Sequence, residues 1–172
     1  QLDHARYPHP ANFQSLIGCG CTDCANEASR LGYDFDEMKS ALMSLKQDLR
    51  TLDATRAGAM AQAQFSLLDL LEWTGRPEAI MAWFSFRAEL IASKMAELAD
   101  AVHTAANRAF VIGTDVFPPS IALLGGHIYR LWENNVDFMM GGFGDLVGWG
   151  ASTRTFLRGL AAALCENIKG FD

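Results

Sequence analysis

The sequence predicts an α/β fold, an incomplete (β/α)8 barrel that forms a single domain over residues 1–172. Residues 109–144 have the pattern of one complete strand–helix–strand unit, and consecutive units of this kind build a parallel sheet or a barrel. The predicted order along the chain is a strand end, several helices, a strand, a helix, a strand and a last helix. A chain of 172 residues is too short for a whole barrel of about 250 residues, so we expect a partial one.

The strand–helix–strand unit is predicted from its apolar runs and from the breaks between them. Phe110–Ile112 is a short apolar run of the kind that a parallel strand covered on both faces needs. Pro118–Ser120 supplies a fixed φ and a capping oxygen, which favour a helix with apolar residues at helical spacing over 123–132. After the asparagine pair that ends this helix, Val136–Met140 predicts the second strand.

Most of the other segments are predicted to be helical. Residues 19–75 form a mainly helical excursion from the barrel, in which the Ala-rich segment 51–64 fits either a continuing helix or a loosely packed insertion. The longest helical pattern begins at Pro77 and carries a broad apolar stripe that reaches Val102. Outside the strand–helix–strand unit, helices are predicted over 22–31, about 36–49, 65–73, 77–107 and 152–167. A glycine-rich loop at 141–150 precedes the last of them.

Composition restricts the function classes. Half of the residues are hydrophobic, so a globular domain is expected. A net charge of −6 without a lysine or arginine cluster argues against a nucleic-acid partner, and no run approaches the roughly 18 apolar residues of a membrane span. Phosphate-loop and G-x-S-x-G motifs are absent, which disfavours nucleotide binding and esterase chemistry. The chain begins with Gln1, without a leader, so we expect a processed protein or a piece of a longer one.

Three aspartates follow predicted strand ends: Asp3, Asp115 and Asp145. Hydrolysis of a glycosidic bond needs one carboxyl group that donates a proton and one carboxylate that attacks or stabilises positive charge. Acids at the ends of adjacent barrel strands point into the same mouth, so Asp3 and Asp115 are predicted to be the catalytic pair. The alternative is that each aspartate caps a loop by accepting bonds from backbone amides, and this is the interpretation that we favour for Asp145.

Five further residues are predicted to bind substrate. They are His4, Arg6, Tyr7, Phe143 and Trp149. A guanidinium at Arg6 would keep the neighbouring Asp3 carboxylate ionised, as a nucleophile or charge stabiliser requires, although Arg6 also fits a salt bridge that only braces the loop. Phe143 and Trp149 follow the second predicted strand, where aromatic rings would stack on sugars.

Three of the four cysteines crowd into the segment Cys19, Cys21 and Cys24. They would give three thiolates to zinc, with His9 or a residue outside this chain as the fourth ligand. Because this is only half of a complete C-x-x-C…C-x-x-C pattern, no metal ligand is assigned from sequence, and the predicted hydrolysis requires no cofactor. Cys165 stands alone on an apolar helix face and is expected to be a small core residue.

Several motifs, taken in order, resemble one family. LDHARYP resembles the end of a fourth barrel strand in this family, and CGCTDCANEASRLGYD is similar to a C-x-C-x-x-C segment in the same family. WFSFRAELI, GTDVFPPSIALLGGHIYRL and VDFMMGGFG then match the long helix, the fifth strand with its helix, and the sixth strand. The resemblance spans nearly the whole chain and is to bacterial glycoside-hydrolase-like (β/α)8 barrel proteins, distant relatives of the alpha-amylase-type barrels.

The resemblance implies that the chain runs from the end of the fourth strand through the sixth helix. Asp3 corresponds to the acid at the fourth strand, which is the nucleophile's place in amylase-type barrels, and Arg6 and Tyr7 belong to the same motif. Asp115 stands where those enzymes use a glutamate as the proton donor.

We therefore expect hydrolysis of O-glycosidic bonds in an oligo- or polysaccharide. Two alternatives remain: a non-catalytic carbohydrate-binding barrel, in which the same acids bond hydroxyl groups, and a zinc-stabilised α/β structural module. The expected partners are a carbohydrate substrate and either the remainder of the barrel or a second copy of the chain, because an open half-barrel exposes unpaired strand edges.

Overall fold

A computed structural model describes residues 5–7, 17–63, 67–106, 110–119, 121–141 and 146–165. These residues are mostly helical and include a two-stranded parallel sheet, which confirms the predicted mixture of helix and strand. No barrel is formed within the described ranges. The chain divides into two compact units, one drawn from residues 1–9 and 84–157 and the other from residues 10–83 and 158–172.

Within residues 22–73, the described part of the chain contains four helices, which belong to the unit that includes residues 10–83. They are α1 (Thr22–Arg30), α2 (Phe35–Thr51), α3 (Ala54–Gln62) and α4 (Leu67–Trp73). Gly32, at φ +83°, lies just beyond α1, in the left-handed region that commonly ends a helix. Asp34 then caps α2 by accepting a hydrogen bond from the Glu37 amide at 2.9 Å. Residues 51–64 were predicted as a continuing helix or a loosely packed insertion, and the structure instead has a separate helix, α3, at Ala54–Gln62.

The apolar face of α2 supplies much of the core of this unit. Its residues Met38, Leu42, Leu45 and Leu49 are each at most 6% exposed. This confirms the helical period that the sequence predicts, because side chains three and four residues apart share one face of a helix. The Phe35 ring, at the start of α2, lies 6.3 Å from the ring of the buried Trp83.

The longest helix, α5 (Pro77–Ala105), begins at the predicted proline, whose missing amide costs nothing in the first helical turn. The boundary between the two units falls within α5, between Trp83 and Phe84. The predicted apolar stripe is buried near its start, at Ile80 and Trp83, whereas Leu98 and Val102 near its end are 44% and 36% exposed.

The sheet consists of β1 (Gly113–Val116) and β2 (Phe138–Gly141), which pair in parallel from Gly113 opposite Phe138 to Val116 opposite Gly141. The predicted strand at 110–112 is wrong by three residues, and Phe110 and Val111 are 42% and 69% exposed. Asp137 explains the shift. It accepts a hydrogen bond from the Ile112 amide at 2.7 Å and donates its own amide to the Ile112 carbonyl at 2.7 Å, so the strand ladder starts only at Gly113.

The segment between the two strands is not the continuous helix predicted over 123–132. It contains the short helix α6 (Ala122–Gly125) and a 3-10 turn at Tyr129–Leu131. Gly126 ends α6 at φ +86°, and a Cβ there would lie 2.8 Å from Ile91 Cδ1 and 2.9 Å from Tyr7 Cδ2. Only glycine fits this position, because both the backbone conformation and the close neighbours exclude a side chain.

The last described helix, α7 (Leu146–Cys165), starts six residues earlier than predicted. Its first turns include residues of the predicted glycine-rich loop, so the backbone of Trp149 lies in a helix and not in a loop.

Candidate functional site

Asp115 lies near the C-terminal end of β1, on the more open face of the sheet. Thr114 and Val116 are buried on the opposite face, at 0% and 8% exposure. Asp115 is half-buried and pairs with Met140, which is 42% exposed. On the same face, the Phe138 ring fills the space above Gly113. Asp115 is predicted from sequence to follow the strand, whereas it is the last residue but one of β1.

The segment Ala5–Tyr7 lies beside the C-terminal end of β1. His127 joins the two, because its Nδ1 accepts a hydrogen bond from the amide of Phe117 at 3.0 Å and its Nε2 lies 2.9 Å from the Ala5 carbonyl oxygen. Phe117 directly follows β1. The amide of Tyr7 also donates to the carbonyl of Gly125 at 3.1 Å, so two independent contacts hold this segment.

His127 is held as a neutral ring. Since Nδ1 accepts a hydrogen bond, the ring proton lies on Nε2 and is donated to Ala5. The side chain is buried, stacked at 5.3 Å on Phe117 and edge-on at 5.4 Å to Trp132. Burial lowers the pKa of His127 below its usual 6.5, and the nearby Arg6 charge lowers it further, while the bond to Ala5 acts in the opposite direction.

This arrangement predicts that acid weakens the fold. As the pH falls below about 6.5, His127 of the unfolded chain takes up a proton while the folded ring does not, so stability falls. The free energy of unfolding should therefore rise with pH between about 5 and 7, with a contribution from this ring of at most about 1.4 kcal/mol per pH unit. Urea unfolding across this range checks it, and His127→Gln, which cannot titrate, should flatten the slope. An identical slope in both proteins would contradict the prediction.

Arg6 and Tyr7 both pack at this end of the strand. The Arg6 guanidinium lies 5.2 Å from the centre of the Phe117 ring. The Tyr7 ring covers Arg87 of α5 at 3.9 Å, a cation–π geometry, and Arg87 is 2% exposed. Burial lowers the pKa of Arg87, and Tyr7 acts in the opposite direction. Tyr7 therefore stabilises a buried cation from α5.

The structure reaches only some of the predicted site residues. Asp3, His4 and Phe143 lie outside the described residues, as does the side chain of Trp149. Asp145, favoured as a cap, and His9, considered as a zinc ligand, also lie outside them. The structure brings Arg6, Tyr7 and the strand of Asp115 to one end of the sheet.

His127 and Tyr129 were missed by sequence reasoning. Tyr129 donates its hydroxyl to the Phe117 carbonyl, and burial raises the pKa of this phenol. The available signal was Gly126, since glycine favours the left-handed conformation that ends a helix and so marks a change of chain direction just before His127.

A second group of reactive side chains lies at the start of α1. The sulfur atoms of Cys19, Cys21 and Cys24 all lie within 4.8 Å of one another, and the Cys21 and Cys24 sulfurs are 3.6 Å apart. The Cys19 thiol, followed by the amide and thiol of Cys24, lowers the pKa of Cys21 to about 7. Partial burial and then the Cys21 thiolate raise the pKa of Cys24 to about 12. The cluster thus holds one thiolate readily near neutral pH.

No described helix is long and apolar enough to cross a membrane. In comparisons with known proteins, no protein-family model, curated protein or solved structure matches the chain significantly.

Proposed function

We propose that the protein hydrolyses O-glycosidic bonds in an oligo- or polysaccharide. One observation carries the proposal: the segment Ala5–Tyr7 lies against His127 and the residue that follows β1, the strand of Asp115. Asp3 is two residues from this segment along the chain, so the packing supports a site in which Asp3 and Asp115 share one rim. Carboxyl groups at such a rim are the groups that glycoside hydrolysis uses.

In the proposed mechanism, Asp3 attacks the sugar or stabilises its positive charge, and Asp115 donates a proton to the leaving oxygen. The half-burial of Asp115 suits a group that must reach both substrate and solvent. His4, Arg6 and Tyr7 hold the Asp3 loop, and Phe143 and Trp149 contribute apolar surface for the sugar. The chemistry needs only carboxyl groups and water.

The fold that we propose around this site is a partial (β/α)8 barrel, from the end of the fourth strand through the sixth helix. The parallel pairing of β1 and β2 across a helical connection supports it. So does the position of Ala5–Tyr7 beside β1, where a preceding parallel strand would end.

Asp115→Asn tests the proton-donor role. The full-length protein is incubated with a panel of oligosaccharides and aryl glycosides, and the released sugars are measured. The variant is expected to lose about 10²- to 10⁴-fold in kcat on sugar leaving groups. It should lose much less on aryl glycosides with acidic leaving groups, because these leave without protonation. Asp100→Asn, an exposed acid on α5, is the matched control and should keep full activity.

The competing function is carbohydrate binding without hydrolysis. A full-length protein that binds oligosaccharides and releases no product from any member of the panel would replace the hydrolase by a binding barrel. Equal losses on both classes of leaving group would contradict the role of Asp115 as proton donor.

A further inference from the structure

The cysteine cluster has the dimensions of a metal site. Zinc bound to thiolates at about 2.3 Å in a tetrahedron requires sulfur–sulfur distances of about 3.8 Å. The three sulfurs of Cys19, Cys21 and Cys24 lie within 4.8 Å of one another, with Cys21 and Cys24 at 3.6 Å. Three ligands can therefore close on one ion if the sulfur–sulfur distances change by no more than about 1 Å, and Cys19 and Cys21 are exposed while Cys24 is half-buried.

The backbone around the cluster places these sulfurs. Gly18 adopts φ +66°, and a Cβ there would lie 3.0 Å from Cζ2 of the buried Trp83, so the turn before the cysteines rests on the core. Cys21 occupies the N-cap position of α1 without a capping bond from its side chain, and Cys24 lies in the first turn of the helix. A cap residue and the third helical residue face each other at a helix start, which is the arrangement that brings these two thiols together.

The local charge also suits a thiolate-rich ion. Zinc with three thiolates carries a net charge of −1, which a cation or a helix N-terminus stabilises. Lys39 of α2 supplies the cation. Its Nζ lies 3.3 Å from the position that a Cβ on Gly20 would occupy, and Gly20 stands between Cys19 and Cys21 along the chain. The N-terminus of α1 begins at Thr22, directly after Cys21.

We propose that Cys19, Cys21 and Cys24 bind one zinc ion, with solvent in the fourth coordination position. Sulfur ligands in a tetrahedral arrangement favour zinc over the oxygen-seeking ions calcium and magnesium. Within the described ranges the group contains three ligand residues and no fourth histidine, cysteine or acid. Cys19 and Cys21 are exposed, so solvent can reach an ion bound by the cluster and take its fourth position. This site is independent of the proposed hydrolysis.

Metal titration of the purified full-length protein tests the site. The reduced protein is stripped with a chelator and titrated with Zn²⁺ against a chromophoric competitor. One equivalent is expected to bind with a Kd below about 1 μM. Titration with Co²⁺ should give a sulfur-to-cobalt charge-transfer band in the near ultraviolet, with the intensity of three thiolates, and the band should change when an added thiol enters the open position.

Two single variants make the test specific. Cys21→Ser should weaken zinc binding by at least about 100-fold, because a hydroxyl is a far poorer zinc ligand than a thiolate. Cys165→Ser, which removes the half-buried thiol of α7, should bind zinc as the wild type does. Circular dichroism of both variants controls for folding. Failure of the wild type to bind one equivalent, or binding that survives Cys21→Ser, would overturn the proposal whether or not the protein hydrolyses sugars.

Discussion

Asp3→Asn is expected to lower kcat for glycoside hydrolysis by at least about 10³-fold while leaving sugar binding nearly unchanged. The amide has almost the same shape as the carboxylate and still bonds to hydroxyl groups, but it neither attacks the sugar nor stabilises a positive transition state. This result rests on the proposed function. It is measured as product release for kcat and as calorimetric binding of the same oligosaccharide for affinity.

The matched control for Asp3→Asn is Asp100→Asn, because both change one carboxylate to an amide and Asp100 is exposed on α5. If the carboxylate attacks the sugar directly, a small nucleophile such as azide should restore part of the turnover lost in Asp3→Ala, because the alanine leaves the space of the carboxylate free. Turnover by Asp3→Asn within threefold of the wild type would remove Asp3 from the mechanism. Loss of sugar binding along with turnover would instead make it a binding residue.

Trp132→Ala is expected to cost about 3–5 kcal/mol in the free energy of unfolding, the largest stability loss that we predict. Trp132 is 0% exposed and lies edge-on to His127 at 5.4 Å. Truncation leaves a large cavity beside the His127 ring. Because His127 joins Ala5 to Phe117, the end of β1 should also loosen. Urea unfolding measures the loss, and faster hydrogen exchange of the Phe117 amide would report the loosening.

The comparison with Trp132→Phe separates packing from polarity. Within the described part of the chain the Trp132 Nε1 has no hydrogen-bond partner. Phenylalanine removes this buried donor together with part of the ring, so it should cost less than about 2 kcal/mol. Equal costs for the alanine and phenylalanine variants would show that a polar partner of Nε1, and not the volume of the ring, holds this site.

Local signals predicted the start of α5 and the buried face of α2. Pro77 and the period of Met38, Leu42, Leu45 and Leu49 are borne out by α5 and α2. The first turn of a helix and one buried face depend on residues within a few positions of each other, so sequence reveals them. The start of α7 was missed because five glycines, at 141, 142, 144, 148 and 150, favoured a loop there.

The positions of the strands were harder to predict from the sequence. The apolar run at 110–112 is a stronger strand signal than Gly113–Val116, yet the latter pairs with β2. The register depends on the bonds between Asp137 and Ile112, residues 25 positions apart. Such a contact is decided by tertiary packing and leaves no local trace.

The candidate site also has features that the sequence predicts and features that only the tertiary structure determines. The residue types of the site could be predicted from the sequence alone. They are an aspartate near a strand end, an opening segment with Arg6 and Tyr7, and three closely spaced cysteines. Tertiary structure alone decided that His127 bridges Ala5 and Phe117, that Tyr7 covers a buried Arg87, and that three sulfurs lie within 4.8 Å. The physical reason is that residue type and spacing record what a segment can do, whereas the meeting of segments far apart in the chain depends on how the whole core packs.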